Sequence, residues 1–106
     1  MKTVITLVTC PDYDKAESIA RELVETRLAA CVNIVSGIRS VYRWEGKVQS
    51  EGECLLIIKS VDTLLKKLEK KIQEIHPYDT PEFVVVDTEY VSKEYAKWVI
   101  ECVDTT

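Results

Sequence analysis

The 106-residue chain is predicted to form a single α+β domain. Segments rich in β-branched residues alternate with segments whose apolar residues recur at helical spacing, in the order β-α-β-β-α-β, and one more helical segment follows. Apolar residues make up 46% of the chain, which is enough for a core in a domain of this length. This order is typical of the ferredoxin-like fold, an antiparallel sheet with helices on one face, here with an added C-terminal helix.

The first predicted strand covers Thr3–Cys10, where β-branched residues are frequent and Pro11 follows. The next segment is predicted to be a helix that is capped by Asp12 or by Asp14. Asp14 has Glu17 three residues on, as in a capping box. The predicted apolar face of this helix consists of Ala16, Ile19, Ala20, Leu23 and Val24.

The next two strands are predicted to form a hairpin. Strand Cys31–Val35 is interrupted at Ser36-Gly37 and resumes over Ile38–Trp44, which indicates a bulge or bend in one long strand. Glu45-Gly46-Lys47 offers a tight turn, and after a polar stretch the chain returns in the strand Cys54–Ile58. The two strands of this hairpin are too long for a small core to cover, and their tip is expected to project from the domain. We therefore expect a partner to cover it.

The second half of the chain is predicted to be helix, strand and helix. The first helix runs from Val61 to His76, with Ser60 or Asp62 as its cap, and Pro77 ends it. Phe83–Val86 is the fourth strand, and Ser92 caps the last helix. The apolar residues predicted to share one face of the first of these helices are Leu64, Leu65, Leu68, Ile72 and Ile75.

Charge and hydropathy exclude several classes of function. The net charge is −4, and acidic and basic residues are interspersed along the chain. The sequence therefore predicts neither a basic surface that binds nucleic acid nor a basic patch that binds a membrane. No apolar run approaches the roughly 20 residues that span a bilayer. With three glycines and no evident nucleophile and base pair, the sequence does not predict an enzyme.

The cysteines are widely spaced and include no C-x-x-C or C-x-x-H pair, which argues against a zinc knuckle or a redox motif. An even number leaves a secreted protein with two disulfides as an alternative. Because the chain starts with a strand-like run and no signal peptide is evident, we predict reduced, mostly buried thiols in a cytoplasmic protein. The four are Cys10, Cys31, Cys54 and Cys102.

The only histidine lies in a stiff polar segment, residues 76–82, which we call the connector. Pro77 and Pro81 fix their own φ angles and bias the residues before them towards extended geometry. An imidazole, a phenol and two carboxylates held in this way are suited to bind a metal, contact an anion or move a proton. The alternative is that the prolines only end a helix and start a strand.

Five short motifs, spread over the whole chain, together resemble the CutA divalent-cation-tolerance family. They are residues 27–34, residues 42–47, Ile57-Ile58-Lys59, His76-Pro77-Tyr78 with Pro81-Glu82, and residues 95–98. The resemblance implies a ferredoxin-like subunit that assembles through long hairpins and sheet edges into a tight homotrimer with a PII-like architecture. It also implies a link to tolerance of divalent metals, copper especially, without an established enzymatic reaction. For animal members it implies a link to acetylcholinesterase assembly at membranes.

The resemblance carries only part of a copper site to this chain. Some relatives are thought to hold copper with a cysteine near the end of the first strand and two adjacent histidines before the Pro-Tyr. Val8 stands at the position of that cysteine and Ile75 at that of the first histidine. Cys10 lies two residues after Val8, on the same strand face, but it is not the matching residue. Of the copper ligands ascribed to these relatives, only His76 is present in this chain.

From these observations His76 is the first candidate metal ligand, and Cys10 is a second and weaker one. Tyr78, Asp79 and Glu82 would complete a mixed nitrogen and oxygen site, which suits Cu(II) or Zn(II) better than Cu(I). The alternative for His76 is a residue favoured at a helix C-terminus by the helix dipole, and for the others plain solvated turn residues. Neither copper nor another divalent cation is expected to be required for folding.

Further residues are assigned to a ligand cleft and to subunit contacts. Lys59 is predicted to reach an anion or the Glu53 carboxylate, which lies on the same side by strand parity, or else to extend into solvent at a strand end. Asn33 is unusual in a strand and suggests a fixed hydrogen bond in the trimer or in the cleft. The predicted trimer contacts are Tyr42, Trp44 and Trp98.

Two functions of different classes follow. The first is a non-enzymatic homotrimer that binds a divalent metal, copper or zinc, or a small anionic ligand in clefts between subunits. The second is a structural scaffold or signalling interaction protein without a metal role.

Overall fold

The computed structural model describes residues 1–103, in which four strands form one antiparallel sheet in the order β2-β3-β1-β4. The predicted β-α-β-β-α-β order with a C-terminal helix is confirmed. The elements are β1 (Thr3–Cys10), α1 (Tyr13–Glu25), β2 (Cys31–Trp44), β3 (Lys47–Val61), a 3-10 turn (Asp62–Leu64), α2 (Leu65–Ile75), β4 (Val84–Asp87) and α3 (Lys93–Cys102).

The core lies between one face of the sheet and helices α1 and α2. Alternate residues of β1 and β3 point to this face, where Val8, Leu56 and Ile58 are fully buried. Leu23 of α1 and Leu68 of α2 belong to the same apolar cluster. Each of these large side chains contributes about 1.5–3 kcal/mol by leaving water. A second, smaller cluster joins α3 to the end of β3 through Val99 and Val61.

The opposite face of the sheet, which we call the open face, is only partly buried. It carries the other alternate residues of β1 and β3, such as Leu7 and Leu55, and two side chains of the edge strand β4. Val84 and Val86 in β4 are 51% and 44% exposed. An apolar sheet face left in this state fits the expectation that a partner covers it.

Helix α1 is capped by Asp12 and not by Asp14. The Asp12 side chain accepts the backbone N–H of Lys15 at 2.8 Å, which satisfies one of the free N–H groups of the first turn. Asp14 lies inside the first turn, where its charge is favourable to the helix dipole. At the last helix, the predicted cap Ser92 is confirmed, since its hydroxyl accepts from the Tyr95 N–H.

Helix α2 is shorter than predicted, because both predicted caps have other partners. The Ser60 hydroxyl donates to the Leu28 carbonyl at 2.7 Å, and the Asp62 carboxylate accepts the Lys2 backbone N–H at 2.9 Å. The chain therefore passes through a 3-10 turn before the α-helix begins at Leu65. The helix ends at Ile75, and His76 before Pro77 is already extended.

Strands β2 and β3 form a long hairpin that is paired up to the tight turn at Glu45-Gly46, where both residues have positive φ. The return strand begins at Lys47, seven residues before the predicted start at Cys54. The predicted interruption of β2 is a bulge: the register shifts between Val35 and Ile38, and Gly37 has a φ of 75°.

Within the described residues, no helix is both long enough and apolar enough to cross a membrane.

Candidate binding groove

A groove of about 870 Å³ lies between the projecting hairpin and the connector. Strand pairing sets Ser40 opposite Glu51 and Tyr42 opposite Gln49, so these side chains share one side of the hairpin. That side continues the open face of the sheet, since Glu51 and Glu53 alternate in step with Leu55. The lining residues are Thr9, Ser40, Val41, Tyr42, Trp44, Gln49, Glu51, Glu53 and residues 78–82.

The bulge in β2 decides which side chains reach the groove. Before the bulge, odd-numbered residues such as Asn33 and Val35 pair with open-face positions of β3. After it, even-numbered residues such as Tyr42 and Trp44 do so. The extra residue therefore resets the alternation and turns these two aromatic rings towards the groove.

His76 forms the floor of the connector and is 7% exposed. Its Nε2 bonds to the Thr9 carbonyl at 2.8 Å, and its Nδ1 accepts the Tyr78 backbone N–H at 3.1 Å. A carbonyl only accepts and an N–H only donates, so the two partners select the neutral tautomer with hydrogen on Nε2. The pairing of β4 with β1 ends at Leu7. The Thr9 carbonyl lies two residues beyond this end, and the His76 side chain is its hydrogen-bond partner. The ring must give up one hydrogen bond before it can bind a metal.

Tyr78 crosses the groove and joins the connector to β3. Its hydroxyl donates to Glu53 Oε2 at 2.8 Å, and its ring lies 4.7 Å from the His76 ring. Burial, the hydrogen bond to Glu53 and that carboxylate's charge all raise the pKa of Tyr78. The phenol therefore stays protonated and acts as a donor.

The lining is acidic. Glu51, Glu53, Asp79 and Glu82 belong to it, and none of the described residues that line it is a lysine or arginine. Burial, and then the nearby Glu53 charge, raises the pKa of Glu82. Four carboxylates without a cation create a negative potential, which attracts cations and repels anions.

The structure brings only some of the predicted site residues together. Tyr78, Asp79 and Glu82 line the groove and His76 lies beneath it, whereas Cys10 is fully buried on the helix-covered face. Burial raises the pKa of the Cys10 thiol to about 12, so it is a poor ligand as it stands. No three His, Cys, Asp or Glu side chains in residues 1–103 are close enough together to hold a metal ion.

Lys59 and Asn33 do not line the groove. Lys59 pairs with Ile5 and Cys31, and Asn33 pairs with Ile57, which places both on the open face nearer the other end of the sheet. Lys59 and Glu53 share a face, as predicted. Six residues along a strand nevertheless separate them by about 20 Å, so Lys59 does not reach that carboxylate.

The predicted trimer contacts are all substantially exposed in the single chain. Tyr42 is 39%, Trp44 60% and Trp98 43% exposed. Trp98 lies on α3 against the Tyr95 ring at 5.5 Å, away from the groove that the other two line. Exposed aromatic side chains of this kind are common in subunit contacts.

Sequence reasoning named Glu53 only as a possible partner of Lys59, and did not predict that Glu51 and Glu53 line a site with the connector. Glu51 and Glu53 lie in the polar stretch that precedes the apolar part of β3. This stretch has no alternation of apolar and polar residues that would indicate a strand. Counting back from Leu55 in steps of two would have placed both residues on the open face, because the strand continues without a break to Lys47.

The comparisons with known proteins agree with this architecture. The family model described as "CutA1 divalent ion tolerance protein" matches residues 4–102. The "Divalent-cation tolerance protein CutA" of Thermus thermophilus is 42% identical over 92% of this chain and 94% of its own length. "Protein CutA, chloroplastic" of Arabidopsis thaliana is 43% identical over 92% of this chain, which spans 53% of that longer protein.

The likeness extends to three dimensions. The crystal structure of CutA1 from Oryza sativa superposes with a TM-score of 0.95 at 38% sequence identity, over 98% of this chain and 95% of that one. Family model, relatives and fold agree over nearly the whole chain, which therefore belongs to the CutA1 divalent ion tolerance family.

Proposed function

We propose that this protein is a cytoplasmic, non-enzymatic homotrimer that binds a divalent cation in the groove. The observation that carries the proposal is the acidic lining: it includes Glu53 and Glu82, the Glu53 charge contributes to the raised pKa of Glu82, and the described lining offers no basic side chain. The relatives' names, which refer to divalent-cation tolerance, point to the same ligand class. Of the two ligand classes that the sequence suggested, the lining favours the cation over the anion.

The donor set determines which cations fit. The carboxylate oxygens of Glu53 and Glu82 suit hard divalent cations, whereas copper and zinc prefer at least one imidazole. His76 supplies that imidazole once Nδ1 releases the Tyr78 N–H. Because residues 1–103 of one chain bring no three His, Cys, Asp or Glu side chains together, the proposal includes a neighbouring copy that completes the coordination sphere.

Calorimetric titration with Cu(II), Zn(II) and Mg(II) tests the groove. Glu53→Gln and Glu82→Gln keep the side-chain shape but remove a charge, so each is expected to weaken cation binding by about tenfold or more. Glu69→Gln, on the exposed face of α2, is the matched control and is expected to leave the affinity unchanged.

The same titration should depend on pH. Glu82 must lose its proton to bind a cation, and its raised pKa means that the proton is lost at a higher pH than usual. Affinity is therefore expected to fall as the pH is lowered through that raised value, and to fall less in Glu82→Gln. Equal affinities in the wild type, both groove variants and the control would contradict the proposal.

Assembly is tested separately by light scattering. Val41, Trp44 and Val48 of the hairpin are 68%, 60% and 66% exposed, an apolar set that is unfavourable in water. The molar mass in solution is expected to be three times that of the 12.1 kDa chain. A monomeric mass in dilute solution would contradict the trimer.

One observation favours a scaffold as the second candidate function. Both ring nitrogens of His76 are already bonded within the chain, which is what a purely architectural role requires. In that case His76→Ala lowers stability and leaves every cation titration unchanged.

A further inference from the structure

Two of the four cysteines are direct neighbours on adjacent strands. Cys10 of β1 and Cys54 of β3 are paired in the antiparallel ladder, so their side chains leave the sheet on the same side. Both point into the core, with 0% and 5% exposure, and both are free thiols. Cys31 lies on the open face and Cys102 on α3, and each is partly buried.

The geometry of this pair matches that of a disulfide. Paired residues in an antiparallel ladder have Cα atoms about 4.5–5.5 Å apart, within the range of about 4.4–6.8 Å found across disulfides. Their Cβ atoms lie about 4.5–5.5 Å apart and need to approach to about 3.8 Å, which is a small movement. A disulfide also brings two sulfur atoms closer together, so it needs no additional room in a packed core.

The position of the pair gives a small oxidant a route to it. Cys10 is the last residue of β1, and its pairing with Cys54 is the last of the β1–β3 ladder. On the other side of Cys54 stands the bulge of β2, where Ser36 and Gly37 face a single residue. A ladder end beside a bulge has fewer neighbouring hydrogen bonds, so it opens more readily than the middle of the sheet.

We propose that Cys10 and Cys54 are a modification site, at which a peroxide converts the two thiols into a disulfide that links β1 to β3. The Cys54 thiolate attacks one peroxide oxygen and breaks the O–O bond, which gives a sulfenic acid and, with hydrogen peroxide, one water. The Cys10 sulfur then attacks the Cys54 sulfur, the S–S bond forms and a second water leaves. Two thiols and one hydrogen peroxide thus yield one disulfide and two waters.

The order of the two steps follows from the surroundings of each thiol. Burial, and then the nearby Cys54, Glu53 and Asp12, together raise the pKa of Cys10 to about 12. Cys10 is therefore the less reactive nucleophile at first, and Cys54, which is the less buried of the two, reacts with the oxidant. Cys10 then acts as the resolving thiol because it already stands opposite.

Peptide mapping of the folded 106-residue protein tests this proposal. The experiment uses the Cys31→Ser, Cys102→Ser double variant, so that only the proposed pair remains. After treatment with hydrogen peroxide, trypsin is expected to release residues 3–15 joined to residues 48–59, with a mass two hydrogens below the sum of the separate peptides. A reductant is expected to separate them.

The cross-link should also raise the melting temperature, by on the order of 10 °C, because it closes a long loop in the unfolded chain. Cys54→Ala and Cys10→Ala in the same background are expected to show neither the joined peptides nor the shift. The proposal is overturned if the pair stays reduced or is oxidised to unlinked sulfinic acids in the folded protein. It is also overturned if the cross-link appears only after denaturation.

Discussion

Replacing His76 with alanine is expected to lower the free energy of unfolding by about 2–4 kcal/mol. The imidazole bonds the Thr9 carbonyl with one nitrogen and the Tyr78 N–H with the other, and it is 7% exposed. Truncation leaves both backbone groups without their partner and leaves a cavity beneath the connector. Urea unfolding at neutral pH measures the loss.

His76→Gln is the informative companion to this substitution. Its amide N–H₂ group can still donate to a carbonyl at the end of the side chain, but no Nδ1 remains to accept from Tyr78. We expect it to recover about half of the stability lost in alanine. A loss below about 0.5 kcal/mol for His76→Ala would show that the two hydrogen bonds contribute little.

Replacing Leu56 with alanine is expected to cost about 2–5 kcal/mol. Leu56 is fully buried, lies opposite Val8 in the ladder and belongs to the cluster formed with α1 and α2. The adjacent residue gives a matched control of the same size on the same strand. Leu55 points to the open face and is only partly buried in the single chain, so Leu55→Ala is expected to cost less within one subunit.

This pair of substitutions also reports on assembly. If the open face is covered by another copy, the cost of Leu55→Ala depends on protein concentration, because it acts through association. The cost of Leu56→Ala is expected not to depend on concentration. A Leu55→Ala penalty that is small at every concentration would show that the open face is not an essential contact.

Much of the fold could be predicted from local patterns. The β-branched run that ends at Pro11, the helical spacing of Leu64 to Ile75 and the cap at Ser92 each depend on neighbouring residues only. The bulge could also be predicted, because glycine inside a strand signals a backbone that other residues avoid. The cap of α2 could not be predicted, since Ser60 and Asp62 bond to the distant residues Leu28 and Lys2 instead.

The candidate site was predicted only in part, for a similar reason. The connector was recognised by its prolines and its single histidine, which are local features. The partner of Tyr78, however, is Glu53, 25 residues away on another strand. Whether these two side chains meet depends on strand register and on the bulge. Parity placed Lys59 on the correct face, but the six-residue spacing between it and Glu53 already implies a separation of about 20 Å along the strand, which rules out their contact.

The bulge in β2 has a consequence for which insertions and deletions the hairpin tolerates. Loss of one residue at Ser36-Gly37 would leave a single residue opposite Cys54, and the pairing of Ile38 with Glu53 could remain as it is. Loss of one residue between Arg39 and Arg43 would have a larger effect. Either the side chains on one side of the deletion would turn to the opposite face of the hairpin, or their pairing with β3 would shift by one residue. Relatives of this chain should therefore vary in length at the bulge and at the turn, and keep a constant number of residues between them.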